Sequence, residues 1–190
     1  MWPWEHLAVG YLVVSLWARA SGRRPLAPDI VAIAVGSQFP DLVDKPLGWG
    51  TTLLPSGTSL AHSLVVALPL AAAVVVLGRI SPWPTAGVAF ALSYLAHLPA
   101  DAMYPVVLGD DPKLAFVLWP LVPVEPTPPT AVIARVGELF VEFLAVLTTP
   151  AGALFLVAEA ALLGGVVLLW RADGSPGLEL VSQMNGVRTR

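Results

Sequence analysis

Long apolar runs with at most one charged residue each are the feature that most limits how this chain can fold. Residues 60–78 contain no Asp, Glu, Lys or Arg. Residues 82–104 contain one such residue, Asp101, and residues 151–170 contain one, Glu159. A helix needs about 20 mainly apolar residues to cross the ~30 Å hydrocarbon layer of a membrane, and each run is long enough.

Composition supports the same interpretation. The chain is 56% hydrophobic and 12% charged, whereas a typical soluble domain is about 25% charged. So few charged residues could not cover the surface of a soluble protein of this size. The composition therefore excludes a soluble globular domain, a disordered chain and a nucleic-acid binder with a basic face. It predicts a protein that crosses the membrane several times and has membrane lipids as partners.

We therefore predict an all-α fold, a polytopic integral membrane helical bundle with about five full spans and two short or re-entrant segments. The predicted full spans are residues 4–18, 60–78, 82–104, 131–149 and 151–170. The two short segments are residues 29–39 and 113–124, whose backbone would have to be shielded by other helices. Residues 1–170 are expected to form a single membrane-embedded domain, and residues 171–190 a polar cytoplasmic tail.

Basic residues orient the predicted spans, because segments exposed to the cytoplasm carry an excess of Lys and Arg. Most of the arginines follow the first, second or last long run: Arg19, Arg23, Arg24, Arg79, Arg171, Arg188 and Arg190. Placing these residues on the cytoplasmic side of the membrane puts the C-terminus in the cytoplasm and the start of the first span on the extracytoplasmic side. The predicted location is the cell membrane, with several crossings.

In this orientation, polar residues of two kinds gather on the extracytoplasmic side. They comprise all three histidines of the chain and three aspartates: His6, His62, His97, Asp41, Asp44 and Asp101. His97 and Asp101 are four residues apart, so they share one face of a helix. Asp41 and Asp44 are expected in the outer turn after the first short segment.

These residue types predict a metal site. Imidazole and carboxylate groups suit zinc, manganese or iron, and a chain without cysteine has no thiolate ligand to offer. Six possible ligands exceed the three protein ligands of a minimal catalytic zinc site, so one or two ions are possible. We expect Asp101 to bridge two ions in the second case. A pair of ions can activate water and polarise a phosphoryl or acyl oxygen. The alternative is that these residues are interfacial polar groups and turn caps.

Four sequence strings carry a family resemblance: HLAVG (6–10), GSQFPDLVDKP (36–46), AHSL (61–64) and AHLPAD (96–101). In this order they resemble the signature of the YdjM-like inner-membrane proteins, which are predicted metal-dependent hydrolases. The N-terminal sequence is similar to haloarchaeal members. The order of the ligands also resembles, more distantly, zinc-dependent phospholipase C, an all-helical enzyme with several zinc ions.

The resemblance implies a set of metal ligands and a chemistry. The implied ligands are His6, Asp41, His62, His97 and Asp101. Asp44 is implied as the second acid of the Pro-Asp element, and we expect it to act as a general base or as an outer-shell acid. The expected function is hydrolysis of a phosphodiester or ester bond in a lipid-like substrate at the extracytoplasmic interface.

Two other functions remain open at this point. One is a membrane protein in which the metal only ties helices together, without catalysis. The other is a transporter that uses the intramembrane acids Glu142 and Glu159. For the acids of residues 131–149 we favour a simpler role, ion pairing between Arg135 and Glu138 or Glu142 on one helix face.

Overall fold

The computed structural model describes residues 1–107 and 109–179. Within these residues the chain forms six α-helices, one 3-10 turn and no β-strand, which confirms the all-helical prediction. The helices are α1 (Pro3–Ala20), α2 (Ala27–Trp49), α3 (Leu64–Arg79), α4 (Pro84–Val107), α5 (Val132–Leu147) and α6 (Pro150–Ala172). Judged by length and composition, α6 is the one helix of the described ranges that is long and apolar enough to cross a membrane, while α3 is apolar but shorter.

Helix α2 is twice as long as the sequence suggested. The prediction of a short segment at 29–39 is wrong, because the helix continues through Pro40 and Pro46 to Trp49. Its 23 residues span about 35 Å. A proline inside a helix usually ends or kinks it. Here the carbonyl of Ser37, in the turn before Pro40, lies 2.7 Å from a ring nitrogen of His97 on α4. This contact gives α2 support from a neighbouring helix where the proline weakens it.

The second predicted short segment, residues 113–124, is also wrong. It contains a single 3-10 turn, Ala115–Leu118, and is otherwise turn and irregular chain. Pro120 and Pro123 lack the N–H groups that a continuing helix would need. The chain therefore reaches α5 from α4 without an intervening membrane-length helix.

Helix α5 lies across one end of the bundle. Just before it begins, the Thr130 N–H donates to the Trp49 carbonyl at the end of α2 (2.8 Å). Midway along it, the rings of Phe140 and Phe143 pack against Trp2 at the start of α1, with centroid separations of 5.9 and 5.3 Å. No residue of α5 is buried. The segment predicted as the span 131–149 therefore follows the end of the bundle where α1 begins and α2 ends.

The two glutamates of α5 face outward. Glu138 and Glu142 are both exposed. Arg135 donates to Glu138 over 2.8 Å, as the simpler interpretation of these residues predicted. Arg135 has no such hydrogen bond to Glu142 in the described part of the chain.

Helices α1, α2 and α4 pack closely through small residues. A Cβ atom on Gly36 would lie 2.6 Å from the Phe90 carbonyl oxygen and 2.5 Å from the Ser93 hydroxyl oxygen. One on Gly10 would lie 3.0 Å from the Ser93 Cβ. Small residues let helix backbones approach each other in this way. The crossing places His6, one turn before Gly10, beside residues of α2 and α4.

Helix α6 runs parallel to α1 and is fastened to its far end. Asp173, the residue after α6, is buried and accepts hydrogen bonds from the hydroxyls of Tyr11 (2.7 Å) and Ser15 (2.5 Å). Its other oxygen pairs with Arg19 over 2.7 Å. Near the opposite end of α1, the Trp4 indole donates to Glu159 of α6 (2.6 Å). These contacts fix the direction of α6 relative to the bundle.

The close approach of α2 and α4 predicts that Gly36→Ala destabilises the protein by about 1–3 kcal/mol, since the added methyl group collides with backbone atoms that cannot move freely. Gly164→Ala is the matched control, because a Cβ there meets nothing within 4 Å. Thermal unfolding of both variants in detergent is the measurement. Equal unfolding midpoints in the two variants would contradict this description of the packing.

Candidate metal centre

All six polar residues singled out by the sequence lie in one region of the bundle. They come from four segments: His6 from α1, Asp41 and Asp44 from α2, His62 from the segment before α3, and His97 and Asp101 from α4. The three histidines are buried, with at most 1% of each residue's surface exposed. Asp41 and Asp44 lie within a helix and not in the turn expected for them, because α2 extends through Pro40.

Four of these residues direct one ligand atom each toward a common point. The group is Asp41, His62, His97 and Asp101, whose donor atoms all lie within 4.8 Å of one another. The two histidine Nε2 atoms are 3.1 Å apart. Each also lies 3.3–3.8 Å from Oδ1 of Asp41 and Oδ2 of Asp101. A tetrahedral zinc ion at 2.0–2.1 Å from its ligands holds them about 3.3–3.4 Å apart. The cluster could therefore hold a metal ion.

The hydrogen bonds on the far sides of the two rings determine their protonation. His62 Nδ1 lies 2.8 Å from Oδ2 of Asp44, and His97 Nδ1 lies 2.7 Å from the Ser37 carbonyl oxygen. A carboxylate and a carbonyl can only accept, so each Nδ1 carries a hydrogen and each neutral ring has its lone pair on Nε2. Two lone pairs and two carboxylate oxygens then face one another, which is unfavourable unless a proton or a metal ion lies between them.

Asp44 orients His62 and the segment that carries it. Its carboxylate is fully buried. Besides the His62 ring it accepts backbone N–H groups from Ser59 (2.8 Å), Ala61 (2.9 Å) and His62 (3.2 Å). A histidine ligand held by a carboxylate on its other nitrogen is a common arrangement around metals. Asp44 is thus separated from the common point by the ring of His62, a geometry that favours the outer-shell role over the general base.

His6 lies beside the four-residue group, outside it. Its ring stacks on His97 with centroids 3.6 Å apart, and its Nε2 is 3.1 Å from Oδ1 of Asp101. Neither ring nitrogen of His6 makes a hydrogen bond with a described residue. The two oxygens of Asp101 therefore face different histidines, Oδ2 toward His62 and His97 and Oδ1 toward His6. The Met1 amino group also contacts Oδ1 of Asp101, at 2.7 Å.

Three supporting contacts were not anticipated from the sequence. Lys45 forms an ion pair with Oδ2 of Asp41. This leaves Oδ1 facing the histidines, a buried atom that has no hydrogen bond to any described residue. The Tyr94 hydroxyl donates to the Ala61 carbonyl (2.6 Å) beside His62. The third contact is the Ser37 carbonyl described above. The four-residue spacing of Asp41 and Lys45 could have predicted their ion pair, whereas the contacts to backbone carbonyls cannot be predicted from residue types.

The remaining acids have other surroundings. Glu159 accepts from the Trp4 indole, and Glu142 lies on the exposed surface of α5. Glu5, next to His6, is buried and its carboxylate accepts the Trp2 N–H at 2.5 Å, which caps the start of α1.

The chain matches the family model described as YdjM inner membrane protein over residues 1–173. The match covers all six helices and the buried Asp173. No curated protein and no solved structure matches the chain.

The contacts of Asp44 predict that Asp44→Asn weakens zinc binding by about 10–100-fold, because the loss of a carboxylate partner misorients the histidine ligand. Asp29→Asn is the control, since Asp29 is also fully buried but caps α2 and pairs with Arg23. Affinity is measured by competition with a chelating dye on purified protein. Similar affinities in the two variants would show that Asp44 does not support the ligand.

Proposed function

Because the chain belongs to the YdjM inner membrane protein family, we propose that α1, α2, α3, α4 and α6 cross the membrane and that α5 lies at its surface. The distribution of side chains supports this placement. The histidines and aspartates of the bundle are inside, while large apolar side chains on the helices are exposed, among them Leu16, Val31, Leu68, Val76, Leu154 and Val157. A buried polar interior with an apolar exterior suits a hydrocarbon environment.

Five crossings would place the start of α1 and the end of α6 on opposite sides. The ends of α1 and α6 meet at Arg19 and Asp173, and Arg171 lies in the last turn of α6. We assign this basic end to the cytoplasm, in line with the excess of Lys and Arg in cytoplasmic segments. The metal centre is at the other end of α1 and so faces the extracytoplasmic side.

At this centre we propose a metal-dependent hydrolase. Asp41, His62, His97 and Asp101 would hold one divalent ion, with zinc our first choice and manganese or iron the alternatives. His6 and the second oxygen of Asp101 would hold a further ion. Such ions supply Lewis-acid chemistry, in which water becomes a better nucleophile at neutral pH and an ester or phosphoryl oxygen is polarised.

The observation that carries the hydrolase proposal is the buried His6 ring, whose Nδ1 has no hydrogen-bond partner among the described residues and whose Nε2 lies 3.1 Å from Asp101. Four protein ligands complete a tetrahedron, which is typical of a structural zinc site. A position held only by His6 and Asp101 would have coordination positions left for water and substrate, which is typical of a catalytic one. The Met1 amino group, 2.7 Å from the same Asp101 oxygen, would have to move away for an ion to bind there. A site that only tied helices together would have no need of this additional histidine beside it.

Other residues of the chain would position the ligands. Asp44 and the Ser37 carbonyl hold the His62 and His97 rings with Nε2 toward the ligand position. Lys45 holds one oxygen of Asp41. At the extracytoplasmic interface the site is suited to a phosphodiester or ester bond of a lipid-like substrate. We do not favour transport, because Glu142 lies on the exposed surface of α5 and Glu159 is bound to Trp4.

The placement of α5 gives a topology prediction that uses the absence of native cysteine. Ala131→Cys and Thr148→Cys flank α5 at exposed positions. Both should react with a membrane-impermeant maleimide added outside intact cells, and Ser21→Cys at the opposite end should react only after the cells are opened. Labelling of residues 131 and 148 from opposite sides would show that α5 crosses the membrane.

The two ligand positions predict the metal content of purified protein, measured by inductively coupled plasma mass spectrometry after metal-replete purification. Wild type should hold two ions per chain, His6→Ala one, and His62→Ala at most one. Glu138→Gln, on the exposed surface of α5, is the control and should match wild type.

Activity distinguishes the enzyme from a metal-stabilised structural protein. The hydrolase proposal expects cleavage of phospholipid or phosphodiester substrates by wild type, with a loss of at least about 100-fold in His6→Ala while the first ion is kept. A protein that holds metal but cleaves none of these substrates would favour the structural role. A folded, metal-free wild type would rule out both the hydrolase and the metal-stabilised structural protein.

A further inference from the structure

A surface cavity of about 530 Å³, wide open to its surroundings, lies at the end of the bundle opposite the candidate metal centre. It lies around the connection between α1 and α2 and is lined by Arg19, Gly22, Arg23, Arg24, Leu26 and Thr85. Three of its six lining residues are arginines. We propose that this cavity binds the phosphate group of an anionic phospholipid at the cytoplasmic interface, a proposal that uses the membrane placement given above but is independent of hydrolysis.

Arg23 is held in position before any ligand arrives. Its guanidinium lies over the Trp17 ring, 4.2 Å from the centroid, and its Nη1 donates to Asp29 over 2.9 Å. A guanidinium fixed on two sides suits a phosphate oxygen, because little side-chain entropy remains to be lost when the anion binds.

The charge of the cavity is positive after its internal pairs are counted. Arg19 is paired with Asp173 and Arg23 with Asp29. Arg24 is exposed and forms no ion pair with a described residue. The first turn of α4 reaches the cavity at Thr85, and the start of a helix carries a partial positive charge. An anion is therefore the ligand that this lining favours.

Exposed apolar residues in the cavity lining and in the connection between α3 and α4 favour a lipid as the source of the anion. Leu26, which lines the cavity, is 61% exposed, and Trp83, two residues before Thr85, is 60% exposed. Ile80, at the end of α3, is 84% exposed. A soluble phosphate would make no use of these side chains, whereas the glycerol and acyl portions of a phospholipid would cover them.

The test is native mass spectrometry of the full chain in detergent, titrated with phosphatidylglycerol, phosphatidylcholine or inorganic phosphate. Wild type should bind phosphatidylglycerol in preference to phosphatidylcholine. Arg24→Gln should weaken this binding about fivefold, as expected for the loss of one basic residue near an anionic lipid. Arg23→Lys should weaken it as well, because the charge is kept but the fork of donors is lost.

Arg79→Gln is the matched control, since Arg79 is an exposed arginine at the same end of the bundle but outside the cavity. It should bind phosphatidylglycerol as wild type does. An equal loss in Arg79→Gln and Arg24→Gln would overturn the site and leave only a general surface charge. Binding of inorganic phosphate that depends on Arg24, without binding of phosphatidylglycerol, would overturn the assignment to a lipid.

Discussion

The rest of this structure depends on the arrangement in which two buried histidines, His62 and His97, face each other through Nε2 atoms 3.1 Å apart. Each ring is turned that way by an acceptor on its Nδ1, a carboxylate from α2 and a carbonyl from the same helix. With Asp41 and Asp101 added, the centre concentrates negative charge and lone pairs inside a bundle. Such a centre is unfavourable inside a bundle unless a proton or a cation lies among these groups. The packing of the helices and the charge balance of the cluster are therefore linked.

The helix packing follows from the same requirement. Ligand atoms have to come within a few ångströms of one point, and they arrive from α1, α2, α4 and the segment before α3. The small residues Gly10, Gly36 and Ser93 permit that approach. Asp44 fastens the segment before α3 with three backbone hydrogen bonds. The residues that tie the segments together thus also determine the direction in which His62 points.

The sequence predicted the gathering of these residues better than it predicted the helices around them. The gathering of the histidines and aspartates followed from charge orientation and from the four-residue spacing of His97 and Asp101, both of which are local signals. The length of α2 could not be predicted in this way. Pro40 is a local signal for helix termination, whereas the contact that supports the helix there joins Ser37 to His97, sixty residues away. Residues 131–149 are apolar enough to suggest a span, but their position across the bundle depends on contacts with Trp2 and Trp49. Such contacts cannot be found from periodicity within the segment.

The two ends of the bundle differ in how they balance charge, and this difference bears on function. At the end opposite the candidate centre, buried Asp29 and Asp173 each have an arginine partner within 2.9 Å, so neither carboxylate needs an added cation to balance its charge. At the other end, Lys45 is the one Lys or Arg side chain paired with the centre's aspartates in the described ranges, and the Met1 amino group and three histidines provide the remaining contacts. Aspartates serving only the fold could have been matched by arginines at both ends. The use of histidine at one end alone is the pattern expected of a cluster that could hold a metal ion.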